Sequence, residues 1–358
     1  MTPLGRGYGQ GTVEQEVKDV LSLREVEDAA VASAGVLDVE VVVPVRWDEV
    51  EPDVEHDFTA YLERLAMIAD VTVVDGSDGP AAEVRRARWA RSTRVLTPDA
   101  RWGSGNGKVV GAMTGIAAAR HERVVVADDD VRYDPATLAA VVEALGTSDL
   151  VLPQNHPTSF PWWAWWESGR MLVNRAFARD WPGTCAVRRT TILGAGGWSS
   201  DALYENLEMA RTVAAVGGRV THRADLLVPR RPPTSRHFMR QRVRQAYEDQ
   251  AQPLRLVLGL SVLPTVVLLH RRPVALGMVS GLVVAVAEAG RRRADGARAF
   301  PPHTPLAAPL WLVERGVCAW MGLGLRVLGG PRYHGRRHPL TAHSRRWLSR
   351  HMAERRGS

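Results

Sequence analysis

Lysine is almost missing from this chain. Of 46 basic side chains only Lys18 and Lys108 are lysines, and the rest are arginines. A lysine in such a background is more informative than usual, and Lys108 sits in a glycine-rich stretch. Cysteine is equally scarce. Cys185 and Cys318 are far apart and form no CxxC, which argues against a disulfide framework and for a reducing compartment. Residues 1–40 are mixed and polar, with no signal-like apolar run. There is also no Walker A loop. Around Gly107-Lys108 the required earlier glycine is replaced by Trp102, and the Ser or Thr after the lysine is Val109.

What is present suits one large domain or two ordinary ones. The chain has 358 residues, and 45% of them are apolar. Short β-branched runs alternate with helical periodicity. Strands are expected at 36–45, 71–74, 94–96, 124–127 and 149–152. Helices are expected at 57–69, 83–90, 109–120, 136–145 and 201–215. That alternation predicts an α/β fold: a mostly parallel sheet with helices on both faces. Ligands in such sheets bind at the carboxyl ends of the strands.

The strand Val124-Val125-Val126-Ala127 runs directly into Asp128-Asp129-Asp130. Three adjacent carboxylates repel one another unless they are solvated or share a cation. Oxygen donors suit Mg²⁺ or Mn²⁺, which commonly bridge a carboxylate to substrate phosphates. A second strand ends in Asp75-Gly76-Ser77-Asp78-Gly79-Pro80. There Asp75 is either a nucleoside acceptor or a plain turn former. The loop 103–108 could place backbone N–H groups and Lys108 beside a phosphate at a helix start. The alternative is a solvated lysine. Trp162, Trp163, Trp165 and Trp166 suit sugar stacking, a membrane interface or a hydrophobic plug. Glu205 and Glu208 lie one turn apart, as general-base candidates or as surface carboxylates. The basic run 236–245 could neutralise a diphosphate or be a solvated face.

In this order the pieces resemble family 2 glycosyltransferases, which have the Rossmann-like GT-A fold and invert the sugar. The resemblance spans residues 36–249. It rests on VVVPVR, VTVVDGSDG, GNGKVVGAMTGIAAA, VVVADDDVRYDP, GTCAVRR and QRVRQ. The resemblance implies a nucleotide-sugar donor bound by Pro44, Arg46, Asp75, Lys108, Asp128, Gln241 and Arg244. It also implies a divalent cation, Mg²⁺ or Mn²⁺, on Asp128 and Asp130, and an acceptor side at Trp165, Trp166, Gly183 and Thr184. Two positions depart from the pattern. Gln245 stands where a tryptophan is usual. Asn206 stands where the catalytic aspartate is usual, and an amide cannot serve as a base. Glu205 and Glu208 are the substitutes. A nucleotidyltransferase, or a degenerate GT-A module that binds without turnover, remains an alternative.

Residues 251–330 contain apolar runs at 254–269, 273–289 and 306–330, and Arg271-Arg272 separate the first two. Lengths near those needed to span a bilayer predict membrane-associated helices, either a hairpin with an interfacial third helix or a shallow re-entrant pair. Buried core helices are the soluble alternative. The tail 331–358 holds eight arginines against Glu354. The expected organisation is a leader (1–35), a catalytic domain (36–250), membrane helices (251–330) and a basic tail. The tail and helices are expected on a membrane surface and not on nucleic acid. The catalytic domain is expected on the cytoplasmic face of the cell membrane, with a lipid, lipid-linked or glycan acceptor.

Overall fold

The computed structural model describes residues 36–333, 336–337 and 339–357. The expected leader, with Lys18, lies outside the described residues. The centre is a seven-stranded sheet in the order β3-β2-β1-β4-β6-β5-β7. Its strands are β1 (Glu40–Val45), β2 (Asp70–Asp75), β3 (Arg94–Leu96), β4 (Arg123–Ala127), β5 (Leu150–Pro157), β6 (Thr184–Arg188) and β7 (Val220–Arg230). Six run parallel and β6 runs against them. The α/β class expected from the alternation is therefore what the chain forms.

Valine-rich strands covered on both faces need apolar helices on each side. One face carries α1 (Pro52–Leu65) and α4 (Pro135–Ala144), which seat Phe58, Leu62, Leu65, Leu138 and Val141. The edge beyond β2 carries α2 (Pro80–Trp89), whose Trp89 joins the same core. The other face carries α3 (Gly107–Ala118) and α7 (Glu205–Ala215), with Met113, Ile116, Met209 and Val213 buried. Burying each such side chain contributes about 1.5–3 kcal/mol. Helix α3 packs unusually close to β1. A methyl on Gly115 would lie 2.2 Å from a Val42 methyl, and one on Gly111 3.0 Å from Pro44 Cβ. Its small-residue face therefore sets the helix axis low over the strand and carries Lys108, at the helix start, over the strand ends.

Strand β7 is the element that sequence periodicity misses. Its polar first half lacks clean alternation, yet it pairs with β5 along its length across a bulge at Pro153/Gln154. The tryptophan run opens α5 (Trp162–Ala176), which is followed by the short α6 (Arg189–Gly194). The basic run forms α8 (Ser235–Glu248), started by Thr234, whose Oγ1 accepts the His237 N–H.

After α8 come α9 (Pro253–Leu269), α10 (Pro273–Arg292) and α11 (Ala308–Val327). The first two are not buried core helices, whereas α11 buries Trp311, Arg315, Cys318 and Ala319. Val257, Leu258, Val267, Leu268, Val274, Met278 and Leu282 are all more than half exposed. Among the described residues one helical stretch, Pro273–Arg298, is long and apolar enough to cross a membrane, whereas the 17-residue α9 is too short. The expected pair of spans is thus reduced to one helix of sufficient length. Buried Arg175 of α5 locks this layer to the sheet by donating to the carbonyls of Gly290, Arg293 and Ala224.

The basic tail is not a free arm. Residues 340–341 accept the backbone N–H groups of Leu203 and Tyr204. Helix α12 (Arg345–Gly357) buries Leu348 and Met352 near Ala195. A two-stranded ribbon, β8 (Arg332–Tyr333) and β9 (Arg336–Arg337), precedes it.

Candidate active site

A cleft of 2380 Å³ lies along the carboxyl ends of β1, β2 and β4 and continues between α7 and α8. The acidic exit of β4 forms its floor. Asp128 lies 2.6 Å from Lys108 Nζ through Oδ1 and 3.3 Å from Arg230 Nη2 through Oδ2. Arg230 Nε also donates to Asp130 Oδ2 at 2.9 Å. Asp130 Oδ1 is equally near but off the N–H direction. It is buried with no hydrogen-bond partner among the described residues. Asp129 turns the other way and accepts from the Trp47 indole N–H. Burial and the neighbouring Asp130 push its carboxyl up to about 6. Asp130 is also raised, by burial first and by Asp128, against the pull of Arg230. Burial works against the charge on Lys108, but Asp128 and Glu205 outweigh it and hold the ammonium above its usual range.

Backbone pairing aims Arg230 into this cluster. The Arg231 N–H donates to Asp130 O, and the Arg132 N–H donates to Pro229 O, stitching the end of β7 to the acidic loop. Gly183 closes the remaining side. A methyl there would lie 2.4 Å from Asp128 Oδ2 and 2.7 Å from Arg230 Nη1. Glycine is required by close approach, not by its backbone angles.

Around this floor the other expected donor residues line the cleft: Pro44, Arg46, Asp75, Gln241 and Arg244. Asp75 is fully buried and already accepts from the Ser77 N–H and from Arg86 Nε, each at 2.9 Å. It therefore holds the turn. Gln241 meets His237 one helical turn away.

Several expected site residues lie elsewhere. Glu208 is fully buried on the face of α7 covered by the tail. It accepts the His343 N–H at 2.7 Å and lies 2.7 Å from His343 Nδ1, so it does not face the cleft. Three residues advance a helix by about 300°, which leaves the two side chains roughly 60° apart, and here that offset is enough to separate Glu205 from Glu208. Thr184 is buried as well, its hydroxyl donating to the Val126 carbonyl within the sheet. Trp165 and Trp166 point to the apolar layer, toward the His303 carbonyl and Glu314 respectively. Of the tryptophan run it is Trp163 that lines the cleft, tied to the Pro233 carbonyl at 2.8 Å. Gly183 does line the cleft, but at its carboxylate end. Asn206 donates to the Pro182 carbonyl at 2.9 Å and braces that loop.

Glu205 does face the cleft, held by Lys108 Nζ at 3.1 Å. Two residues were not anticipated. Arg230 was hidden because β7 was not read as a strand; the Pro232-Pro233 break was the available signal. Glu248 carries no motif. It closes α8 and lines the cleft with 15% of its side chain exposed.

Together these features define an α/β domain with a strand-end cleft in which a lysine and an arginine cross adjacent carboxylates and a basic helix forms one wall. No family model matches the chain, and no curated protein matches it. Among solved structures it is similar to a mannosyltransferase from Pyrobaculum calidifontis in complex with GDP-Man and Mn²⁺. Identity is 21% and the TM-score 0.47, over 79% of this chain and 87% of that one. It is also similar to glucosyl-3-phosphoglycerate synthase from Mycobacterium tuberculosis with Mn²⁺, UDP-Glc and phosphoglyceric acid. There identity is 16% and the TM-score 0.38, over 60% of this chain and 79% of that one. A mycobacterial protein aligns at 16% identity and TM-score 0.39, over 59% and 72%.

Proposed function

We propose that this chain is a membrane-associated glycosyltransferase of the GT-A type. It would move a sugar, with inversion, from a nucleoside-diphosphate sugar to a hydroxyl of a lipid, lipid-linked or glycan acceptor. The observation that carries this reading is the β4 exit: two half-buried carboxylates crossed by Lys108 and Arg230, with Asp130 Oδ1 left without a hydrogen-bond partner among the described residues.

A buried acceptor atom with no donor is costly unless a ligand completes it. Among the described residues no group of three His, Cys, Asp or Glu side chains converges on a metal position. Two carboxylates completed by diphosphate oxygens are, however, how Mg²⁺ and Mn²⁺ are commonly held. The residues therefore fit a divalent cation on Asp128 and Asp130, which when bound neutralises charge on the leaving diphosphate. The chain's own cations do the same work. Lys108 and Arg230 flank the position with fixed positive charge, strongest where water is excluded, and Arg244 lines the same cleft. Pro44, Arg46 and Asp75 suit the nucleoside end. Trp163 and the α7–α8 end of the cleft suit the acceptor.

The same cleft reaches Leu254, Leu258, Trp311 and Leu312 of the apolar layer. That continuity supports an acceptor with an apolar tail, taken from a membrane surface on which α9–α11 rest. An exposed apolar face of this extent is otherwise unusual for a soluble chain. A binding module without turnover remains the second reading, because the amide of Asn206 cannot take a proton.

The test is calorimetric binding of GDP-mannose and UDP-glucose, with and without Mn²⁺, to wild type and Asp130→Ala. Mn²⁺-dependent binding of one donor, lost in Asp130→Ala, is expected. Binding of neither donor, with or without metal, would refute the reading.

A further inference from the structure

The carboxylates at the acceptor end of the cleft are not equivalent. Four line it there: Glu167, Glu205, Glu248 and Asp249. Glu167 is held by Arg170 and Arg242 at 2.5 and 2.6 Å. Asp249 is held by Arg315 at 2.7 Å. Glu205 is held by Lys108, the same ammonium that pairs with Asp128. Protonating any of these three would strand a cation with little access to solvent, which is costly. Glu248 differs. Its nearest cation is Arg244 Nε at 3.9 Å, and among the described residues it makes no hydrogen bond.

Its position is nevertheless fixed. The residue before it, Tyr247, donates its hydroxyl to the Pro339 carbonyl at 2.9 Å. The residue after it is Asp249, locked to Arg315 of α11. The α8 terminus is thus pinned on both sides, and a carboxylate with spare lone pairs is left facing the cleft beyond Glu205.

Resting on the transferase reading above, we propose that Glu248 is the general base that deprotonates the acceptor hydroxyl, in the role that Asn206 cannot fill. In this step a Glu248 oxygen takes the hydroxyl proton while the acceptor oxygen bonds to the anomeric carbon. The bond from that carbon to the diphosphate oxygen breaks, and the nucleoside diphosphate leaves with the electron pair. The assignment narrows the acceptor class: it must offer a hydroxyl, because a phosphate oxygen is already ionised and needs no base.

The electrostatics agree. Burial and the charge of Glu205 on α7 raise the Glu248 carboxyl to about 7, against Arg244 on its own helix and Arg315 on α11, with neighbouring Asp249 also raising it. Tyr204, which immediately precedes α7, stays protonated because burial raises its hydroxyl well above the usual range. A base with pKa near the working pH is the effective kind.

The test uses full-length protein in detergent with Mn²⁺ and GDP-mannose or UDP-glucose. Nucleoside diphosphate release is followed from pH 5 to 9, with water or octyl glucoside taking the sugar. Wild-type release should rise through pH ~7. Glu248→Gln should lower it ~10²- to 10⁴-fold and erase that limb, while Mn²⁺-dependent donor affinity stays within about threefold, which also shows that the variant is folded. Formate should partly restore Glu248→Ala. Glu205→Gln should keep the limb. Retention of rate and limb by Glu248→Gln overturns this assignment alone, as does donor binding without release by wild type at every pH. Absence of Mn²⁺-dependent donor binding by wild type overturns the transferase reading and this assignment with it.

Discussion

Replacing Gly183 by alanine tests the site with a single methyl. That methyl would lie 2.4 Å from Asp128 Oδ2 and 2.7 Å from Arg230 Nη1. A relaxed non-bonded contact is roughly 3.5 Å, so the carboxylate and the guanidinium must each retreat by about 1 Å. Neither can do so independently. Asp128 is also tied to Lys108, and Arg230 to Asp130. The displacement therefore reaches the whole acidic exit of β4. A misplacement of ~1 Å at a reacting centre lowers the rate on the order of 10²-fold, about 2.7 kcal/mol at 1.36 kcal/mol per decade. The expected result is a loss of that size in kcat/KM for nucleoside diphosphate release, with weaker Mn²⁺-dependent donor binding. The overlap should also cost about 1–3 kcal/mol of stability, although Gly183 has no left-handed backbone to lose, so denaturant titration must show the variant folded under assay conditions. Gly146→Ala, where a methyl meets nothing within 4 Å, is the matched control. Wild-type kcat/KM and donor affinity in Gly183→Ala would refute the claim that Asp128 and Arg230 act where they stand.

Three further outcomes follow. Glu208→Gln should reduce unfolding stability by about 1–3 kcal/mol, because it weakens a buried carboxylate's bonds to His343; denaturant titration measures this, and release at 25 °C should stay near wild type. Glu248 makes stability depend on pH. Its folded carboxyl sits at about 7 against 4.5 unfolded, so the folded state holds a proton that the unfolded state gives up. Stability should then fall as pH rises from 4.5 through 7, by up to about 3 kcal/mol. Glu248→Gln should be the more stable protein at pH 8 but not at pH 4, and urea midpoints at both pH values decide it. Finally, glutamates at Val267, Leu268 and Val274 together should abolish flotation with anionic lipid vesicles while donor binding persists.

Much of the sheet was legible because its strands are valine runs flanked by turn residues, a signal that needs no tertiary information. The acidic exit was legible for the same reason: Asp128 and Asp130 follow such a run directly. Strand β7 was not, because its side chains are half exposed and its pairing depends on the long partner β5. Arg230 was lost with it. Pointing direction was the other blind spot. Glu205 and Glu208 look alike in one dimension, as do Trp163 and Trp165. Only the packing of residues 339–352 on α7, and of α11 on α5, decides which of each pair meets the cleft. Glu248 has no sequence signature at all, since what singles it out is the absence of a cation close enough to hold it.

The docked segment 339–352 has a consequence for how the molecule is made. Helix α7 keeps Glu208 buried, and its partner His343 is 135 residues further along the chain. During synthesis, α9–α11 leave the ribosome before His343 does. The apolar helices therefore emerge while the α7 face that carries Glu208 is still uncovered, because His343, Leu348 and Met352 have not yet arrived. Contacts of such long range form late. The cleft wall that carries Glu205 thus reaches its final form only after the apolar layer has met its own surroundings. A nascent chain that failed to find those surroundings would expose α9–α11 before the α/β domain was complete, and exposed surface of that kind is where aggregation begins.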